Sequence, residues 1–151
     1  MNEDKKRNRY KRIYKQLETL LTKSDDYEAH MATVIAILHH KIDYFFWTGF
    51  YFIKDGKLIV KMYQGPVACQ ELKKDVGVCW KCINDEQTII VKDVEKFGGH
   101  IACDSRSKSE IAIPFRNKNG EIIGVLDIDS KTLNSFDDVD ANELEKILNL
   151  I

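Results

Sequence analysis

The stretch Glu110-Ile111-Ala112-Ile113-Pro114-Phe115-Arg116-Asn117-Lys118-Asn119-Gly120-Glu121-Ile122-Ile123-Gly124-Val125-Leu126-Asp127-Ile128-Asp129 decides the fold. Two apolar runs flank a short Asn- and Gly-containing turn, which predicts an antiparallel hairpin with strands Glu110 to Arg116 and Glu121 to Asp129. Two registers are open. Pairing Asn117 with Gly120 sets Glu110 opposite Asp127, and pairing Lys118 with Glu121 sets it opposite Asp129. Either register places acid against acid, and Asp127 and Asp129 share a sheet face because side chains alternate. Like charges across strands destabilise a sheet unless a cation or a shared proton relieves them. Solvated strand ends are the bland account. The functional account is that crowding raises at least one pKa, keeping one acid protonated near neutral pH while the others hold a cationic group.

Upstream, Phe45 to Ile53 and Lys57 to Tyr63 flank Asp55-Gly56 and predict a first hairpin, with Trp47, Gly49 and Tyr51 on one face. A strand from Thr88 to Val91 leads into a loop from Asp93 to Ser109 that is long enough to suggest function. Helical spacing predicts a helix from Lys5 to Leu21, using Tyr10, Ile13, Tyr14, Leu17, Leu20 and Leu21, and a short one from Gly77 to Asn84. Another starts at Asp25, with Glu28 completing a capping box, and buries Met31, Val34, Ile35, Leu38 and Ile42. A terminal helix from Asp137 to Ile151 buries Leu144, Ile147, Leu148 and Ile151. Hairpins with helices packed on them give an α+β domain.

The chain has 151 residues, one domain's worth, running from N-terminal helices (5–42) through a core (44–130) to the C-terminal helix (137–151). Its 23 Lys+Arg against 24 Asp+Glu leave a formal charge of -1, so no global field favours nucleic acid or an anionic membrane. The basic run Lys5 to Arg12 is read as a solvated helix face. The N-terminus has no signal-peptide core and no apolar run reaches membrane-spanning length, so the chain is expected in the cytoplasm. There the four cysteines are expected to rest as thiols, and a disulfide among them would be transient and catalytic.

Cys79-Trp80-Lys81-Cys82 is a CxxC, but a zinc ribbon wants a second such pair and a thioredoxin motif wants a βαβ unit, so neither reading is adopted. His39 and His40 near a helix end suit its negative terminus, and without matching ligands nearby no metal role is expected of them; the thiol and carboxylate chemistry expected of the chain requires no metal and no organic cofactor. Cys82 reads as a buried small hydrophobe. Cys103 differs, because Asp104, Ser105, Arg106, Ser107 and Lys108 surround it with polar groups and the two cations suit a thiolate, so it is the expected nucleophile.

Six segments together resemble the free methionine-(R)-sulfoxide reductases, which are built on the GAF domain. These are Trp47-Thr48-Gly49-Phe50-Tyr51, the run from Tyr63 to Cys69, Gly77-Val78-Cys79, Gly99-His100-Ile101-Ala102-Cys103-Asp104-Ser105, Ser109-Glu110-Ile111, and the run from Gly124 to Ser130. Trp80, the additional Cys82 and Phe97-Gly98-Gly99 depart from the family pattern. The resemblance implies a six-stranded antiparallel sheet flanked by helices, reduction of the free amino acid, and a homodimer. It implies that Cys103 attacks the sulfoxide sulfur and that Cys69 and Cys79 resolve the product as a disulfide. It further implies that Glu110, Asp127 and Asp129 hold and activate the substrate, and that Trp47 and Tyr51 wall the methyl group. Which of Cys69, Cys79 or Cys82 resolves first is left open.

The expected chemistry joins these readings. A sulfoxide sulfur becomes electrophilic when its oxygen is protonated, so a Cys103 thiolate and a protonated Glu110 act together. The sulfenic acid that results condenses with a second thiol, and thioredoxin or a similar dithiol reduces the disulfide. Two other classes compete: a GAF-type sensory module that binds a small molecule without chemistry, and a thiol redox sensor.

Overall fold

In a computed structural model that describes residues 1–99 and 103–151, one six-stranded sheet organises the chain. The strands are β1 (Trp47–Lys54), β2 (Lys57–Gln64), β3 (Glu71–Leu72), β4 (Ile89–Val91), β5 (Ser109–Arg116) and β6 (Ile122–Ser130), in spatial order β3-β2-β1-β6-β5-β4 with antiparallel neighbours throughout. The helices are α1 (Glu3–Leu20), α2 (Tyr27–Lys41), α3 (Val78–Asp85) and α4 (Asp138–Leu148). The expected α+β class and six-stranded sheet are observed.

Strand periodicity separates two cores. Phe50 of β1, Ile111, Ile113 and Phe115 of β5, and Leu126 and Ile128 of β6 pack with Tyr10, Leu17, Val34, Leu38, Leu144 and Ile147 of α1, α2 and α4. Their neighbours in sequence point the other way, where Trp47, Tyr51, Ala112 and Val125 pack with Val78, Cys79, Trp80 and Cys82 of α3. The second face carries the alternate positions Glu110, Asp127 and Asp129. Three helices cover one face, and the shorter α3 leaves room on the other.

The hairpin β5–β6 adopts the register that sets Glu110 opposite Asp129 and Ala112 opposite Asp127. Its tip differs from a simple Lys118–Glu121 pairing, because a bulge at Phe115/Arg116 brings Arg116 opposite Ile122. The turn is held by the Asn117 side chain, whose oxygen accepts from the N–H groups of Asn119 (2.9 Å) and Glu121 (3.0 Å).

Several expected boundaries move. The second helix is capped by Asp26, whose carboxylate accepts from the Ala29 N–H at 2.8 Å, rather than by an Asp25–Glu28 capping box. The capping box lies on α4 instead, where Asp137 and Asp140 bond each other's backbone N–H groups. That helix ends at Leu148, so Ile151 follows it and is only partly buried. Phe45 is buried ahead of β1 rather than within it. The 93–109 loop contains a 3-10 turn, Val94–Lys96, and residues 100–102 of the Gly99–Ser105 motif lie outside the described residues.

Lys6 departs most from the solvated reading of the basic run. It is 5% exposed, and its ammonium bonds the Asp140 carboxylate at 2.6 Å and the Ser135 carbonyl at 2.8 Å. Tyr10 and Tyr44 each donate to the other Asp140 oxygen at 2.6 Å. A buried carboxylate is tolerable only with partners of this kind. Among the described residues no helix is long and apolar enough to cross a membrane.

Candidate active site

The site grows from the centre of the sheet. Across the strands, Trp47 pairs with Asp129 and Asp129 with Glu110, while in the next row on that face Gly49 pairs with Asp127 and Asp127 with Ala112. The three acids are therefore neighbours, as the hairpin requires. Glu110 and Asp127 are buried, and Asp129 is half-buried. Burial, then repulsion from Asp129, pushes the Glu110 carboxyl up to about 8, so it is protonated at neutral pH. Burial, then repulsion from Asp127, also holds Asp129 well above the usual carboxylate range, against the opposing pull of a Ser107 hydrogen bond. Glu110 is hydrogen-bonded to the side chains of both aspartates.

Gly49 shapes the wall above Asp127. A Cβ built there would come within 2.5 Å of the Trp47 ring, so only glycine lets the indole lie across this position. Trp47 stacks with both Tyr51 and Tyr63, at centroid distances of 5.8 and 5.3 Å. Its Nε1–H donates to the Pro66 carbonyl at 3.1 Å, and the Tyr51 hydroxyl donates to the Cys69 carbonyl at 3.0 Å. The aromatic wall thus anchors the 64–69 loop that carries Cys69. Burial raises the Tyr51 phenol, helped by the nearby Asp127, so it stays a neutral donor.

Cys69 and Cys103 are joined in a disulfide, with Cα atoms 5.5 Å apart, within the span such a bond needs. This differs from the expectation of four resting thiols and names the partner of Cys103 that the sequence left open. Cys103 is exposed and Cys69 half-buried. Cys79 and Cys82 are free and buried. Burial, with repulsion from Asp127 and Glu110, pushes the Cys79 thiol well above its ordinary range, and burial does the same at Cys82. Neither has the environment of a thiolate. The Cys82 reading as a buried apolar filler holds, since it is 0% exposed.

All eight residues singled out from the sequence, Trp47, Tyr51, Cys69, Cys79, Cys103, Glu110, Asp127 and Asp129, come together here. All except Cys69 line one pocket, and Cys69 is bonded to its rim through Cys103. The pocket holds about 590 Å³ of empty space, its open mouth included. Cys79 Sγ and carboxylate oxygens of Glu110 and Asp127 lie within 4.8 Å of one another, close enough to share one small cationic group. The cations expected to support a Cys103 thiolate are themselves paired: Arg106 with Asp104 at 2.7 Å and Lys108 with Glu95 at 4.0 Å. Sequence reasoning missed Phe46, which lines the pocket, and Ser107 as a partner of Asp129. Phe46 lies one residue before β1 and Ser107 in an irregular loop, so no periodicity marks either.

The GAF domain family model matches residues 25–151. GAF domain-containing protein A of Dictyostelium discoideum is 47% identical over 97% of this chain and 92% of its own length. The free methionine-R-sulfoxide reductase of Escherichia coli is 35% identical over 92% of this chain and 84% of its own length. The X-ray structure of the Neisseria meningitidis free methionine-R-sulfoxide reductase with its substrate superposes with a TM-score of 0.88 at 35% identity, covering 93% of this chain and 84% of that one. The chain belongs to the GAF-domain family and, within it, to the relatives that include the free methionine-R-sulfoxide reductases.

Proposed function

We propose that the protein reduces free L-methionine-(R)-sulfoxide to methionine. One observation carries the reading: a Cys69–Cys103 disulfide stands at the rim of a pocket whose floor is three crowded carboxylates. Relatives of that named activity support it.

The floor suits a substrate with an ammonium group and a sulfoxide. Asp127 and Asp129 would hold the ammonium, whose charge offsets their repulsion. Glu110, protonated at neutral pH, would donate to the sulfoxide oxygen. The Cys103 thiolate attacks sulfur as Glu110 protonates the oxygen, the hydroxyl then passes from that sulfur to Cys103 Sγ as the S–O bond and the transient S–S bond break, and methionine leaves with Cys103 as its sulfenic acid. The Cys69 thiol then condenses with that sulfenic acid, losing water and forming the disulfide. Thioredoxin or a similar dithiol returns the pair to thiols by exchange, becoming a disulfide itself. Trp47 and Tyr51 enclose the methyl end.

The test is NADPH oxidation coupled through thioredoxin and its reductase, with the free R-sulfoxide, its S epimer and an N-blocked R-sulfoxide as substrates. Turnover of the free R form alone is expected. Turnover of none, with a small dithiol also failing, would leave a sensory GAF module or thiol redox sensor as the better account.

A further inference from the structure

Cys79 is a buried thiol that the proposed reduction leaves unused. It is free, 3% exposed, sits in the first turn of α3 and lines the pocket. Its Sγ lies with a carboxylate oxygen of Glu110 and one of Asp127 so that all three atoms are within 4.8 Å of one another. Each of the two acids is 5% exposed. The donors come from three separate elements, α3, β5 and β6, so the packing of α3 on the sheet is what brings them together. An anionic sulfur beside two carboxylates repels them, whereas all three attract a single dication placed among them.

We propose that Cys79, Glu110 and Asp127 form a binding site for a thiol-seeking divalent cation of the zinc class, with a fourth position open to the pocket. The site goes beyond the reductase reading, whose chemistry needs no metal, and does not depend on it. A point among three atoms so spaced lies within about 2.8 Å of each, against about 2.3 Å for a zinc–sulfur bond and about 2.0–2.2 Å for zinc–oxygen. Shifts of about half an ångström therefore close the coordination. On binding, the ion displaces the thiol proton to solvent. Thiolate is a soft ligand, which favours zinc over magnesium or calcium, and those two ions prefer larger sets of oxygen donors than this one. Asp129 takes part from behind, since it is hydrogen-bonded to Glu110 and fixes the direction of that carboxyl. An ion held here occupies Glu110 and Asp127 and so competes with any other ligand that uses them.

The test uses the protein with its Cys69–Cys103 disulfide formed, where Cys79 and Cys82 are the free thiols. Cobalt(II) is the probe, because thiolate ligation gives a near-ultraviolet charge-transfer band that carboxylates alone do not. One cobalt per chain with that band is expected, displaced by an equivalent of zinc and not by excess magnesium. Cys79→Ser should abolish the band and weaken zinc binding by roughly 100-fold or more. Glu110→Gln and Asp127→Asn should each weaken it by roughly 10- to 100-fold, and Cys82→Ser by less than about threefold. Asp127→Asn keeps the side-chain volume, so it carries the test if Cys79→Ser does not fold. No band in the wild type, a band abolished by Cys82→Ser but kept by Cys79→Ser, zinc binding unchanged in both carboxylate variants, or magnesium competing as well as zinc would each overturn the site. Every arm reads binding without turnover, so its failure leaves the reductase reading standing.

Discussion

Glu110 carries the residue-scale argument, because it faces Asp129 across the hairpin and is buried beside Asp127. A carboxyl raised to about 8 is an acid at neutral pH, so kcat/KM should fall as pH rises through about 8. Glu110→Gln should lower kcat by roughly 100-fold or more at pH 7 and remove that limb of the profile. The same shift acts on stability with a definite sign. Folded Glu110 holds its proton up to about 8, whereas the unfolded chain releases it near the ordinary value of 4.5, so the folded state binds more protons between these limits. Wild type should therefore lose stability relative to Glu110→Gln from about pH 4.5 to 8, the difference between their melting temperatures moving in the variant's favour over that range. Thermal melts across that range check it, and a wild type that gains on the variant over the interval would contradict the burial argument. The crowding itself was legible, since alternation and a short turn force acid against acid in either register. The Ser107 bond to Asp129 was not legible, because a loop side chain has no period to place it.

At the scale of elements, β1 and β6 build the pocket as a pair, with Trp47 beside Asp129 and Gly49 beside Asp127. Gly49→Ala would push a methyl against Trp47 and the Tyr63 Cβ, each 2.5 Å from the ideal position. It should cost about 1–3 kcal/mol in urea unfolding and raise substrate KM by shifting the indole. An unchanged urea midpoint would show that the strand has slack there. Both hairpins, the four α-helices and the shared face of Trp47, Gly49 and Tyr51 were legible because each repeats a period over several residues. The two-residue strand Glu71–Leu72 was not, since so short a piece has no period, and only the resemblance implied a sixth strand. The cap of α2 shifted from Asp25 to Asp26 because adjacent aspartates offer the same chemistry and the chain's path selects between them.

The whole molecule is closed by a clasp that joins its ends, the Lys6 ammonium of α1 on the Asp140 carboxylate of α4. Ser135, whose carbonyl also bonds Lys6, bonds the Ser130 hydroxyl at 2.7 Å, one residue beyond Asp129, so the clasp adjoins the end of the strand that supplies two of the acids. Lys6→Ala would leave a buried carboxylate without its cation and should cost about 3–5 kcal/mol, read as a lowered urea midpoint. A loss below about 0.5 kcal/mol would mean that Tyr10 and Tyr44 suffice to hold Asp140. Nothing in the sequence marked this lysine among its basic neighbours, because its partner is 134 positions away. The pairing of Cys69 with Cys103 is a long-range fact of the same kind, and it carries the functional account. The most direct test is a single turnover without reductant: the fully reduced protein is mixed with one equivalent of free methionine-(R)-sulfoxide, and methionine, thiols and disulfide-linked peptides are measured together. The account predicts one methionine formed, two thiols lost and a Cys69–Cys103 peptide, all absent in Cys103→Ser. Methionine formed by Cys103→Ser, or no methionine from the wild type, would contradict it.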